Sequence, residues 1–363
     1  EFRRVLFRSN TVVGASGFGR LVLDGGQLTT RTLTVTNGSA NSQVVFNGGT
    51  LATQGTFVTN ATAFLVGNGV ANATLDLQGG THHFANNLII TNAGQAQVLN
   101  NTATINAPYL LNRSGGTVLV QNGGLIVNSV FTNAGTYTSL NSVSTFNREV
   151  VNSGAWITDP TTNIFTTMTV TPSGYISATA ADVFIFHSNL VNQSTQSAAW
   201  NTLNVAPGTN TVGGGTKFIF QGTSVTQTQQ FFHPGLLLTG GFIGEPVPST
   251  TGVQVANGPA GFNLNFALGR LELTNTTLML AQAVPSSTTT NALFVNDLFF
   301  FGTAHLIISN NMRLYFVNSN DWTLANVTLL GNAEIHQLVL VPEPSTLLLA
   351  MAGAVAIWRW RRR

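Results

Sequence analysis

Apolar and polar residues alternate along most of this chain in short runs closed by Gly and Asn. Thr32-Leu33-Thr34-Val35-Thr36, Thr74-Leu75-Asp76-Leu77-Gln78 and Arg270-Leu271-Glu272-Leu273-Thr274 show this pattern, which is that of strands with one face buried. Shorter apolar runs at Val118 to Val120, Leu125 to Val127, Val183 to Phe186, Phe218 to Phe220 and Leu306 to Ile308 predict short buried strands. Before residue 341 no segment carries an apolar stripe at helical spacing. The chain is therefore read as all-β.

A repeat chooses among β architectures. Gly116-Thr117-Val118, Gly135-Thr136-Tyr137, Gly154-Ala155-Trp156 and Gly174-Tyr175-Ile176 recur at a nearly constant spacing, with looser echoes at Asp24-Gly25-Gly26, Asn47-Gly48-Gly49, Gln78-Gly79-Gly80 and Asn92-Ala93-Gly94. Such a step suits one coil of a right-handed parallel β-helix, in which each coil buries its inward side chains on its neighbours and Gly and Asn form the corners. Asn can also stack there in ladders. Roughly 16 coils at about 4.8 Å would give a rod on the order of 75 Å long. A β-sandwich or propeller is the competing reading, since a step of this size also suits pairs of hairpin strands. After about residue 195 the pattern loosens, and the Pro-rich stretch from Gly244 to Pro259 and the polar break from Pro285 to Asn291 predict loops.

Charge alters the picture by its scarcity. Asp, Glu, Lys and Arg make up 7% of the 363 residues, against about a quarter in ordinary domains. Asn, Thr, Ser, Gln and Gly take the polar positions, while 43% apolar residues and 24 phenylalanines supply a core. Residues 1–9 and 341–363 hold half of the 14 basic residues, so the body has seven basic and ten acidic residues, about −3. A basic nucleic-acid-binding face is not expected. There is no cysteine, which excludes disulfides and thiolate metal sites.

Catalytic and metal chemistry find little support. A polysaccharide lyase on a β-helix needs clustered carboxylates with an Arg or Lys base, and a glycosidase needs a carboxylate pair. Asp24, Asp76, Glu149, Asp159, Asp182, Glu245, Glu272, Asp297, Asp321 and Glu334 stand singly, although stacked coils can bring distant residues together. His82 and His83 are neighbours on a strand and point to opposite faces, so they do not form a metal pair. Gly213-Gly214-Gly215-Thr216-Lys217 lacks the spacing and the succeeding helix of a phosphate loop and reads as a turn. No catalytic residue, metal or cofactor is expected.

The end of the chain is different in kind. Pro342-Glu343-Pro344 is followed by an apolar stretch of Leu347, Leu348, Leu349, Ala350, Met351, Ala352, Gly353, Ala354, Val355, Ala356 and Ile357, then by Trp358, Arg359, Trp360, Arg361, Arg362 and Arg363. Counted from Pro344 to Trp360 the stretch reaches roughly 25 Å as a helix, just enough to span a bilayer. The arginines favour the cytoplasmic side, leaving the body exported. Two prolines impose an extended backbone between body and membrane.

This order of motif, helix and basic cluster closely resembles the PEP-CTERM sorting signal of exopolysaccharide-producing Gram-negative bacteria. The resemblance implies recognition of Pro342, Glu343 and Pro344 by an exosortase, cleavage near the motif, and transfer from an inner-membrane-anchored precursor to the envelope, cell surface or extracellular matrix. In composition the body also resembles the repeat-rich passengers of autotransporters. The chain thus divides into three parts. Residues 1–9 form an atypical segment, out of character with the neutral sequence after it and suggesting a foreign start and a missing signal peptide. Residues 10–340 form an exported β-solenoid region, and 341–363 a sorting signal with a transmembrane helix. The expected role is a non-enzymatic structural or adhesive surface protein with exopolysaccharide as a partner; a carbohydrate-active β-helix enzyme is the alternative.

Overall fold

In a computed structural model the alternation becomes three parallel sheets wound around one core. The structure describes residues 5–6, 9–36, 42–206, 214–222, 229–233, 254–255, 262, 266–281 and 291–339. Every strand pairing among them is parallel, and the strands stack as a solenoid of about 12 turns. Hairpin pairs would be antiparallel, which removes the sandwich reading.

Register shows how the coils superpose. In the first sheet one column runs through Leu28, Leu51, Leu75, Ala96, Val118, Tyr137, Trp156 and Ile176. In the second it runs through Leu33, Thr56, His82, Ile105, Val127, Phe146, Phe165, Phe186, Phe220, Leu273 and Phe300. The third carries Phe64, Leu88, Leu110, Phe131, Val150, Met168, Leu190, Phe232, Leu280, Ile308 and Leu329. Apart from the polar Thr56 and His82 and the exposed Leu329, the side chains described in these columns face inward and make one continuous apolar core. Its middle is aromatic: Phe146, Phe165, Phe186 and Phe220 stack at 5.1 to 5.3 Å, and Tyr137 lies 4.0 Å from Trp156. Stacked pairs of this kind add about 0.5–1.5 kcal/mol each beyond their buried area.

The recurring glycines have a steric cause. A Cβ on Gly135 would strike the carbonyl oxygen of Gly116, and one on Gly154 that of Gly135, so the corner leading into the first sheet brings successive backbones too close for a side chain. The Asn residues just before these glycines line the same corner from inside. Asn112 donates to Asn133 at 2.7 Å and Asn133 to Asn152 at 2.8 Å. Their amides also donate to the carbonyls of Thr136 and Ala155 on the next coil. All three are buried, and the ladder satisfies their NH₂ groups and the Oδ1 of Asn133 and Asn152, while the Oδ1 of Asn112, at its end, has no partner.

Several sequence readings need correction. The coil count is about 12, not 16. The even spacing of the glycines holds only through the central column of Thr117, Thr136, Ala155 and Tyr175. Val183 pairs with Lys217 and Lys217 with Arg270, much longer steps that carry insertions rather than coils. The runs read as short buried strands are strands, but buried on one face only, so Leu119, Ile126, Val183, Ile185, Ile219 and Ile307 face outward and are partly exposed. Within residues 1–9, set apart by composition, Val5–Leu6 forms a short strand on Leu28 and Thr29.

His82 and His83 do point to opposite faces. His83 lies outside against Phe57, with centroids 5.4 Å apart. His82 is buried in the core column, where its Nε2–H donates to the Gly79 carbonyl and its Nδ1 accepts from Thr56, both at 2.9 Å. Burial lowers its pKa from 6.5 to about 4, opposed in part by the bond to Gly79. The unfolded chain takes up this proton below pH 6.5 and the folded chain does not, so stability is full above pH 6.5 and falls as pH drops toward 4 by on the order of 3 kcal/mol. Replacing His82 by Leu should therefore flatten the loss of urea midpoint between pH 7.5 and pH 4.5. Parallel losses in variant and wild type would refute this role.

Candidate functional site

Outside the core, side-chain amides stack in register along both edges of the second sheet. Asn100, Asn122 and Asn141 each turn a corner with φ of 58°, 53° and 44°, a left-handed conformation that Asn tolerates better than most residues. Asn122 donates to Asn100 at 3.3 Å and Asn141 to Asn122 at 3.0 Å. On the far edge of the second sheet Asn147 donates to Asn128 and Asn128 to Asn106, both at 2.7 Å. Between these two external ladders lie Thr104, Ile126 and Thr145. At the first of the two edges an open groove of about 410 Å³ is lined by Asn122, Asn141, Ser142, Val143, Pro160 and Thr161.

Behind that groove is a buried polar seam which no motif announced. Asp182 is fully buried. Its Oδ1 accepts from the Thr161 amide at 2.6 Å and hydroxyl at 3.1 Å; its Oδ2 accepts from the Thr158 hydroxyl at 2.8 Å and from the amide and hydroxyl of Thr179 at 2.5 and 3.1 Å. One carboxylate thus ties two consecutive coils together. Ser139 and Ser142 bond each other at 2.7 Å on the preceding coil, where the Tyr137 hydroxyl donates to Ser144 at 2.6 Å. Burial raises the Tyr137 pKa to about 12, partly offset by its serine partners, so the phenol stays a neutral donor.

Other carboxylates are bonded within the framework. Asp24 accepts from Asn47, and Asp76 from Gln78 and Gln97. Glu334 meets Arg313 at 3.3 Å and His336 at 2.8 Å. Glu149, Asp159 and Asp321 are exposed, and Glu245 lies outside the described residues. Sequence reasoning missed one gathering of charge: Lys217, Arg270 and Asp297, far apart along the chain, share a register column on the second sheet. Arg270 binds Glu272 at 2.6 Å and lies 4.3 Å from the Phe299 ring centroid, while Asp297 is buried and accepts from Asn296 and Asn318 at 2.9 Å each. Only the fold shows this column. Among the described residues no three His, Cys, Asp or Glu side chains are placed to hold a metal ion. Thr216 leads into strand Lys217–Gln221, not into the helix that a phosphate loop requires.

The body ends in strand Glu334–Val339, paired with Arg313 to Phe316 on one side and with Gln254 and Val255 at its end. The segment beyond this strand decides the destination of the chain. Residues 340–363 match the PEP-CTERM protein-sorting motif. The sorting motif implies an exosortase as sorting machinery and export to the cell envelope or surface, and a β-solenoid body is consistent with that. No curated protein and no solved structure matches the chain. Pro342, Glu343, Pro344, the apolar stretch Leu347 to Ile357, and Arg359, Arg361, Arg362 and Arg363 all lie outside the described residues. Among the described residues no helix is long and apolar enough to cross a membrane.

Proposed function

We propose that this chain is a non-enzymatic structural or adhesive element of the cell surface or extracellular matrix, delivered by its sorting motif and presented as a right-handed β-solenoid. The sorting motif at residues 340–363 is the observation that carries the reading. The rule that parallel strands are joined by right-handed crossovers favours that hand. Leu347 to Ile357 serves as a membrane helix that holds the precursor in the inner membrane of a Gram-negative cell, with Arg359 and Arg361 to Arg363 in the cytoplasm. An exosortase grips Pro342, Glu343 and Pro344 and removes the helix and arginines beyond them.

Adhesion is supported by the external Asn ladders, which keep spare donors and acceptors for a neutral partner such as exopolysaccharide. A carbohydrate-active enzyme is the second reading, favoured by the column of Lys217, Arg270 and Asp297 beside Glu272. Against it, Arg270 and Glu272 are engaged with each other, and Asp297 is bonded by two amides. Protein recovered from the matrix of a host with an exosortase should lack Arg363 by mass spectrometry, and it should not depolymerise pectate, alginate or the host polysaccharide, with or without calcium. An intact Arg363 on matrix protein would overturn the delivery route; release of unsaturated or reducing ends would bring the enzyme forward.

A further inference from the structure

The inner column of the third sheet ends unevenly. Leu280 and Ile308 are fully buried, whereas Leu329, the next position of that column, is 39% exposed. Among the described residues no strand stacks on the far side of Val327–Leu329. Leu324 is 76% exposed and Leu330 40%, so three large apolar side chains close together in the chain are bare at this end of the solenoid. Trp322 packs edge-on against the core residue Phe316, with centroids 5.6 Å apart. From residue 322 to 333 there is no Asp, Glu, Lys or Arg, so this stretch can meet an apolar phase without stripping a charge of water, while the flanking Asp321, exposed, and Glu334, partly exposed, would stay at its polar edge.

Chain length keeps that end close to the bilayer. Only residues 340–346 lie between Val339, the last residue of the last strand, and Leu347, the first of the apolar stretch. Fully extended, this connection reaches at most about 28 Å. A tether that short turns contact into an intramolecular event, at an effective concentration of the order of millimolar.

We propose that the solenoid end carrying Leu324, Leu329 and Leu330 is a lipid-contact surface that rests in the headgroup region while the precursor is anchored. The proposal depends on the tail acting as an anchor, as argued above. Burying the open end of the core in the interface gives the last coil the cover that repeat proteins otherwise need from a capping unit, and it holds the body beside the site of processing.

The absence of native cysteine makes the test direct. Full-length Leu324→Cys and Val70→Cys, the latter at a position 86% exposed and remote in sequence, are labelled with a fluorophore. Both are reconstituted in vesicles of phosphatidylcholine and phosphatidylglycerol carrying a headgroup nitroxide. The expected result is sedimentation of both proteins with the vesicles and quenching several-fold stronger at position 324 than at position 70. Sedimentation with equally weak quenching overturns the lipid contact and leaves the anchor intact. Failure to sediment overturns the anchor, and the contact falls with it. Shielding of position 324 in detergent by concentration-dependent dimers, without quenching in vesicles, would overturn the lipid contact and assign the surface to a second copy of the chain.

Discussion

Changing Pro342, Glu343 and Pro344 together to alanine should abolish C-terminal processing, leaving a membrane-bound precursor that keeps Arg363 by mass spectrometry. The two prolines fix φ and exclude helix from the residues before them. Glu343 is the one Asp, Glu, Lys or Arg between Glu334 and Arg359. The triple change therefore removes both the backbone constraint and the charge that distinguish this stretch from its neighbours. It leaves Leu347 to Ile357 and the terminal arginines untouched, so anchoring should persist. The last strand ends at Val339, so thermal and urea unfolding should match wild type, which separates a recognition defect from a folding defect. Normal loss of the tail in the variant would show that the motif is not what the enzyme reads.

Asp182→Ala should be among the most destabilising single changes in the body, costing on the order of 3–5 kcal/mol. The loss leaves the buried amide of Thr161, the half-buried amide of Thr179 and the hydroxyls of Thr158, Thr161 and Thr179 without their common acceptor. Asp182→Asn should recover part of this, because one oxygen remains while the new NH₂ faces other donors. Asp159→Ala, at an exposed acid, should stay within about 0.5 kcal/mol of wild type. Urea midpoints rank the three, and hydrogen exchange should locate the loosening in residues 158–183. Equal midpoints for the alanine variants at 182 and 159 would remove Asp182 from the stabilising framework.

Much of this architecture was legible because its central coils are regular. The glycines at 116, 135, 154 and 174 mark real superposition, since Thr117, Thr136, Ala155 and Tyr175 come directly after them and pair in one column. Upstream the steps lengthen, as from Thr56 to His82. Corners there differ in length, and a fixed period cannot track them. An expectation of about 16 coils exceeds the roughly 12 present because the steps from Val183 to Lys217 and from Lys217 to Arg270 are each much longer than a central coil. Asp182 could not be singled out, because its partners Thr158 and Thr161 sit one coil earlier, far from it along the chain. Local pattern reports which way a side chain faces, not what the next coil places above it. The same limit hid the alignment of Lys217, Arg270 and Asp297. The opposed faces of His82 and His83 were legible because they come from strand geometry alone.

The long step between Lys217 and Arg270 leaves the column through Phe186, Phe220, Leu273 and Phe300 unbroken. Yet chain inside that step reaches along the rod: Gln254 and Val255 pair with Leu338 and Val339 of the last strand, and Phe262 lies 5.4 Å from Phe294. In evolutionary terms, the inward columns can stay constant while an insertion at one corner acquires contacts of its own with later coils. Duplicating one coil extends the rod, and inserting at one corner adds a new surface, without re-solving the packing of the inward columns.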